Sequence, residues 1–281
     1  MGESAALLSS PYGTAVAGLF GAVWGSFFNV CIARIPEGQS IVRPASRCPH
    51  CGAAVRARDN IPLVSYFVLR GRCRDCRAPI SARYPLVEAL AAALAAGLWW
   101  RFVVADPDQA VGIRLARFAC YFAFGGALTV LSFIDLATQR LPDAITLPAI
   151  PILFVAAFGT HDAGWPARLI GAAAGYLFFR LIADFYYYVL KREGLGLGDG
   201  KLLALIGAVL GWQALPFVVF GGAITGAAVS LPVAMRMRRR GDDAARVPLR
   251  RLQIPFGPFL ALAALVYLFA GPALVRLWLG G

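Results

Sequence analysis

Two aspartates and four cysteines are the residues of this 281-residue chain whose types and spacing point most directly to chemistry. Asp135 closes an apolar run in Leu131-Ser132-Phe133-Ile134-Asp135-Leu136, and Asp199 stands in Gly196-Leu197-Gly198-Asp199-Gly200-Lys201, where another apolar run begins. A carboxylate at membrane depth costs about 2.5–3.5 kcal/mol on insertion scales, so each one needs a reason. Where two such groups meet, like-charge repulsion splits their titration, leaving one as general base and the other as general acid, able to activate a water against a peptide bond. Single aspartates at span ends, such as Asp143 and Asp184, are more simply read as interfacial caps. Asp199 differs, because Gly194, Gly196, Gly198 and Gly200 strip side chains from its surroundings and let another backbone, such as a substrate strand, come close.

Other chemistries fail on their own requirements. A dinucleotide fingerprint needs glycine where Asp199 or Lys201 stands, and a phosphate loop needs glycine at Leu195 and Ser or Thr at Leu202. The histidines are His50 and His161, which form no His-Glu-x-x-His metal site, and a serine protease would need one of them as its base.

The cysteines form a second constellation. Cys48-Pro49-His50-Cys51 and Cys73-Arg74-Asp75-Cys76 are two Cys-x-x-Cys knuckles separated by 21 residues, close to the spacing of a four-thiolate zinc site. Such a site is closed, so the metal is expected to be structural and to staple a loop too small to build its own core. His50 is read as a bystander, and Cys31 and Cys120, alone in apolar runs, as small buried hydrophobes.

The elements that must position these groups are membrane helices. The chain is 59% hydrophobic and 15% charged, with a mean hydropathy of +0.67, which excludes a disordered chain, a disulfide mini-protein and an ordinary cytosolic enzyme. The pattern predicts an all-α polytopic membrane protein of about eight transmembrane helices, at 11–33, 84–105, 114–134, 143–161, 166–190, 201–212, 214–235 and 256–279, with a small zinc-stapled cytoplasmic loop. Gly211 and Pro216 leave 201–235 open to two short helices or one broken hairpin. The net charge of +12 sits in short stretches between apolar runs, not on a soluble face, so nucleic acid is not an expected partner. With the N-terminus outside, twenty-one of the 27 Lys and Arg fall in the segments 34–83, 135–142, 191–201 and 236–255, which are then cytoplasmic; Arg101, Arg114, Arg117, Arg168 and Arg276 lie opposite. No Lys or Arg precedes Arg34, so a secretory signal is not expected. The basic 236–251 run would also attract anionic membrane lipid. Small-xxx-small spacings at Gly21/Gly25, Gly171/Gly175 and Gly222/Gly226 are read as helix packing.

In six segments, taken in order, the sequence resembles the type IV prepilin peptidases, or leader peptidase/N-methyltransferases. These are Gly25-Ser26-Phe27-Phe28-Asn29-Val30 with Arg34 and Pro36; Asn60-Ile61-Pro62-Leu63-Val64-Ser65-Tyr66; Arg83-Tyr84-Pro85-Leu86-Val87-Glu88; Ile134-Asp135-Leu136 with Leu141-Pro142-Asp143; Gly196-x-Gly198-Asp199-x-Lys201; and Ile254-Pro255-Phe256-Gly257-Pro258-Phe259. The resemblance implies a first transmembrane helix at 1–33, a cytoplasmic zinc-binding loop domain at 34–83 and a transmembrane aspartyl protease domain at 84–281. It implies Asp135 and Asp199 as the catalytic pair, cleaving the leader of type IV prepilins or pseudopilins at the cytoplasmic face of a bacterial inner membrane. Because Cys48, Cys51, Cys73 and Cys76 are all kept, it also implies N-methylation of the new N-terminus with S-adenosylmethionine, through residues that no motif identifies. The chain departs from the family in Leu195 and Leu197, where Met and Tyr are usual, and in Arg180 and Asp184 within the fifth span, four apart and able to pair on one helix face. A metal-regulated transporter and a non-catalytic scaffold for pilus assembly are the competing readings. The first would need more polar residues deep in its spans, and the second would not need the aspartates.

Overall fold

The computed structural model describes residues 10–191, 197–239 and 255–279. Among these residues the regular structure is helical, joined by turns and loops, with two isolated antiparallel bridges, Arg47 with Ala54 and Arg72 with Pro79. The helices are α1 (Pro11–Arg34), α2 (Val64–Val68), α3 (Arg83–Trp99, continued by a π-helical turn Trp100–Val104), α4 (Val111–Thr138), α5 (Asp143–Ala156), α6 (Trp165–Leu190), α7 (Leu197–Leu210), α8 (Ala214–Arg239) and α9 (Gly257–Leu279). Each expected span therefore has a helix. By length and composition, however, six segments can cross a membrane: Pro11–Glu37, Arg83–Val104, Val111–Thr138, Asp143–Thr160, Trp165–Val189 and Ala214–Pro232. At 14 residues, α7 reaches about 21 Å against a hydrocarbon core of about 30 Å, so the eighth-span count does not follow from length. Gly194, Leu195 and Gly196 and most of the basic 236–251 run lie outside the described residues.

The chain divides into two compact units, Met1–Val130 and Leu131–Gly281. In the first, α1 and α3 touch backbone to backbone. A Cβ on Gly21 would lie 2.3 Å from the Ala91 carbonyl oxygen, and one on Gly25 would lie 2.6 Å from Glu88 Cα. Phe20, Trp24 and Phe28 of α1 pack against Phe122 of α4, with Phe118 beside Phe20. In the second unit α6 and α7 approach as closely, a Cβ on Gly207 falling 2.2 Å from the Gly171 oxygen. Gly222 and Gly226 of α8 receive Leu260 and Phe259 of α9. The small-residue spacings thus act in helix packing.

Two of the arginines that the charge count places opposite the cytoplasmic segments are buried. Arg114 donates to the Val103 carbonyl at the end of the α3 continuation, and Arg168 donates to Thr160 Oγ1 at 2.8 Å. Their long stems bury while the guanidinium satisfies groups where a neighbouring helix ends, which a count of loop charges does not reveal. Arg180 and Asp184 pair at 2.9 Å on the exposed face of α6, as their spacing predicts.

Candidate active site and metal centre

Asp135 sits in the last turns of α4, among the buried Leu131 and Ile134, and is itself 5% exposed. The helix ends just beyond it. Thr138 Oγ1 donates back to the Ile134 carbonyl at 2.9 Å, and Gln139, at φ +54°, donates its N–H to the Asp135 carbonyl at 2.8 Å. The Asp135 carboxylate accepts the Gly257 N–H at 3.1 Å, which ties the end of α4 to the first residue of α9 across 122 positions of chain. Gly257 is required there for space, because a Cβ would stand 2.8 Å from Asp135 Oδ2.

Asp199 lies half-buried in the first turn of α7, where the helix dipole favours a carboxylate. Gly257, which bonds Asp135, also faces Leu202 of α7, a Cβ there lying 3.5 Å from Leu202 Cδ2, so the end of α4 and the first turns of α7 come together inside one unit. The glycines flanking Asp199 serve contacts within the chain. A Cβ on Gly198 would lie 3.2 Å from Leu141 Cβ, and one on Gly200 3.2 Å from Phe179 Cβ and 3.4 Å from the Tyr176 oxygen. The room expected for a substrate strand is, at these two positions, taken by the protein itself. Phe179 in turn meets Phe256 edge-on at 6.2 Å. Lys201 pairs with Asp143, the first residue of α5, and so fastens the start of α7 to the start of α5. Asp143 thus stands at a helix start, as expected, and also forms an ion pair, whereas Asp184 lies within α6 and pairs with Arg180 rather than ending a helix.

The two knuckles in the first unit are copies of one another at an offset of 25 residues. Cys48 N–H donates to the Ala53 carbonyl at 2.9 Å and Cys73 N–H to the Ala78 carbonyl at 2.8 Å. Gly52 and Arg77 donate back to Cys48 and Cys73, and Val55 and Ile80 close the second bonds to Ser46 and Gly71. The residue after each second cysteine takes a left-handed conformation, φ +72° at Gly52 and +59° at Arg77. Glycine adopts this freely, and the arginine is held there by the turn. Folded this way, Cys48, Cys51, Cys73 and Cys76 bring their sulfurs within 4.8 Å of one another, and His50 is not among them.

Cys48 Sγ and Cys76 Sγ are 3.8 Å apart, far beyond disulfide bonding. That is the edge of a tetrahedron with metal–sulfur bonds of about 2.3 Å, so the four residues fit a tetrahedral ion. The N–H groups of Cys51 and His50 point at Cys48 and bring its thiol down to about 6. Although the Ala78 N–H favours the Cys76 thiolate, desolvation and the neighbouring sulfurs push Cys76 up to about 12. Four thiols this close share their ionisation unevenly until a cation joins them. Below the knuckles Arg74 grips Asp59 with Nε at 2.8 and 3.0 Å from its two oxygens, holding that carboxyl below its ordinary range. Cys31 and Cys120 are buried, as expected.

One feature escapes motif reading. The first unit contains a cavity of about 1050 Å³ between the end of α1, the 34–83 segment and the start of α3. Ser26, Asn29, Asn60 and Glu88 line it, with His50 and Arg83. Its residues come from three of the six signature segments, but no spacing rule joins positions 29, 60 and 88.

A helical chain with two acids near the facing ends of helices in one unit and four clustered thiols that could hold a metal in the other fits an integral membrane peptidase. Residues 19–102 match the bacterial peptidase A24 N-terminal domain, and residues 122–231 match the type IV leader peptidase family. A prepilin leader peptidase/N-methyltransferase of Burkholderia pseudomallei (strain K96243) is 41% identical over 308 residues, covering all of this chain and 93% of the relative. Proteins of the same description from Dichelobacter nodosus and Aeromonas hydrophila are 35% and 36% identical, covering 97% and 93% of this chain and 96% and 92% of their own lengths. No solved structure matches the chain. The chain belongs to the type IV leader peptidase family, and it is an enzyme.

Proposed function

We propose that the chain is an intramembrane aspartyl endopeptidase that removes the leader of type IV prepilins or pseudopilins, and that it methylates the N-terminus so exposed. The observation that carries the proteolytic half is that Gly257, whose N–H Asp135 accepts, also abuts Leu202 of α7, three residues beyond Asp199, which brings the two acids within electrostatic reach. Two acids that share a site titrate as a pair, so on this reading one proton is shared and a water between them is deprotonated while the scissile carbonyl is protonated. The Gly257 N–H orients one carboxylate, and the Lys201–Asp143 pair fixes the turn that carries the other. The positive-inside asymmetry supports an outside N-terminus, a cytoplasmic 34–83 segment and a cytoplasmic cleavage face in a bacterial inner membrane. That topology requires α7 and α9 to count as the sixth and eighth spans.

Zinc is the ion that the four-thiolate set fits, held by Cys48, Cys51, Cys73 and Cys76 in a closed structural site. S-adenosylmethionine, when bound, supplies an electrophilic methyl group, and the cavity of the first unit has the size of a small-molecule site. The test is co-expression with a prepilin and mass measurement of the mature N-terminus. Asp135→Asn and Asp199→Asn should each lower cleavage by at least about 10²-fold while the protein still inserts, since an amide keeps the shape but cannot exchange the proton. Near-full cleavage by either variant refutes the pair.

A further inference from the structure

The floor of the cavity in the first unit holds two acceptors that the protein itself leaves under-supplied with donors. Asn29 is 2% exposed and lines the cavity. Its Nδ2 donates to the Tyr84 carbonyl at 3.0 Å and to the Gly25 carbonyl at 3.3 Å, which fixes the amide orientation and makes Oδ1 the free end. That oxygen is buried without a hydrogen-bond partner. A buried acceptor in a native fold has a partner, so an unpartnered one on a residue that lines a cavity calls for a ligand that brings a donor.

Glu88 stands beside it. Gly25 lies one turn before Asn29 and touches the backbone of Glu88, and Tyr84, whose carbonyl Asn29 holds, lies one turn before Glu88. The Glu88 carboxylate is 9% exposed and lines the same cavity. It accepts the Leu63 N–H at 2.7 Å and is within reach of the Ser26 hydroxyl, which leaves part of the capacity of an ionised carboxylate unused. No ion pair to Glu88 occurs among the described residues. Arg83, the nearest basic residue in sequence, lies over the Tyr84 ring at 5.4 Å. Leu63 itself is held at φ +62°, ψ −53°, with Val64 N–H bonded to the Pro62 carbonyl at 2.7 Å. This is a γ-turn that a leucine adopts only under restraint, and the bond to Glu88 supplies that restraint at the cavity wall.

We propose that Asn29 Oδ1 and the Glu88 carboxylate form a subsite for a primary ammonium group, seated at the floor of this cavity. An ammonium brings three N–H donors and a positive charge, which suits one neutral acceptor and one carboxylate set side by side. Two molecules of the proposed reaction carry that group: the trimmed pilin, at its new N-terminus, and the methyl donor, on its amino-acid end. The subsite rests on the methyl-transfer reading above.

Equilibrium binding to the purified, zinc-loaded full chain tests it. The probes are a mature-pilin peptide with a free or an acetylated N-terminus, and S-adenosylhomocysteine with or without its amine. Glu88→Gln keeps an acceptor for the Leu63 N–H but removes the charge, and Asn29→Leu removes the free acceptor from the other helix. Zinc content and thermal midpoint report folding of each variant, and either variant alone carries the test. The expected result is a loss of about tenfold or more for the amine-bearing form of one probe, with its acetylated or deaminated counterpart unchanged. The probe that loses affinity identifies which amine is seated there. Wild-type affinities retained by the folded variants for every probe overturn the subsite alone. A wild-type chain that binds neither probe and methylates no pilin overturns the methyl-transfer reading and the subsite with it.

Discussion

Gly257→Ala is the substitution that isolates the placement of Asp135 from the presence of its carboxylate. A Cβ at 257 would stand 2.8 Å from Asp135 Oδ2, where ordinary contact begins near 3.4 Å, so the two must separate by about 0.6 Å. The glycine is the first residue of α9, and its backbone is anchored by the helix that follows. The carboxylate, at the end of one short side chain, is what moves, and the 3.1 Å bond from the Gly257 N–H is lengthened or lost. A displacement of about 1 Å in a catalytic group costs on the order of 10²-fold, so a shift of this size should lower kcat about tenfold or somewhat more, equivalent to at least about 1.4 kcal/mol. The lengthened bond to the carboxylate costs about 1–3 kcal/mol, so the thermal midpoint should fall modestly while the variant still folds. The assay is leader cleavage by the purified enzyme with a full-length prepilin, separating kcat from KM, beside a melting curve. Gly112→Ala is the control, since a Cβ there meets nothing within 4 Å. A folded Gly257→Ala enzyme within twofold of wild type would show that the Oδ2 position does not set the rate.

Zinc should bind the purified protein stoichiometrically, and Cys73→Ser should lose it and impair methylation well before cleavage; metal-free wild-type protein, or equal loss of both activities, would contradict this. A cysteine introduced at Gly164 should react with an impermeant reagent from outside the cell and one at Gln39 should not, as mapped by peptide mass; labelling of both from one side would reject the proposed topology. The carboxyl of Asp59 is held below its ordinary range by Arg74, so its contribution to stability is fully present above the unfolded carboxylate range near 4 and is lost as pH falls through the folded value. Hydrogen exchange in the 34–83 segment should therefore separate wild type from Asp59→Asn by a constant amount above about pH 5, a gap that closes in stronger acid; a gap that widens in acid would reverse the sign. Gly207→Val should lower the thermal midpoint, by about 1–3 kcal/mol of stability, because its Cβ would fall 2.2 Å from the Gly171 oxygen, and an unchanged melting curve would contradict that close approach.

The parts of the site that were legible in the sequence are those whose cost or chemistry is local. An aspartate at the end of an apolar run stands out because the surroundings make it expensive, and two Cys-x-x-Cys pairs stand out because a tetrahedral ion fixes their spacing. Long-range partners carry no such mark. Nothing near Asp135 in sequence announces Gly257, and Asn29 looks like a small polar residue near a helix end until its amide is seen between two carbonyls. The glycines before and after Asp199 were visible, but their neighbours Leu141 and Phe179 were not. Arg114 and Arg168 count toward one side of the membrane in the sequence, but their burial, and the groups they satisfy where another helix ends, carry no local mark.

The helix that matches a membrane span least well is also the one that best explains the aspartyl site. At 14 residues α7 is short for a bilayer, yet every residue from Leu202 to Val209 is buried. A helix apolar and covered all round is a core element, positioned by its neighbours and not by lipid. It meets α6 backbone to backbone through Gly171 and Gly207, and its first turn is tied to α5 through Lys201 and Asp143. Asp199 therefore sits at the mouth of the most constrained helix in its unit, and Asp135 is bonded to the start of α9 in the same unit. On the proposed mechanism, two carboxylates sharing a proton need relative positions good to a fraction of an ångström. Loops at a membrane surface would not hold them so closely. Small residues that let helices touch, and a short helix enclosed by others, provide that rigidity without placing any further charge in the apolar interior.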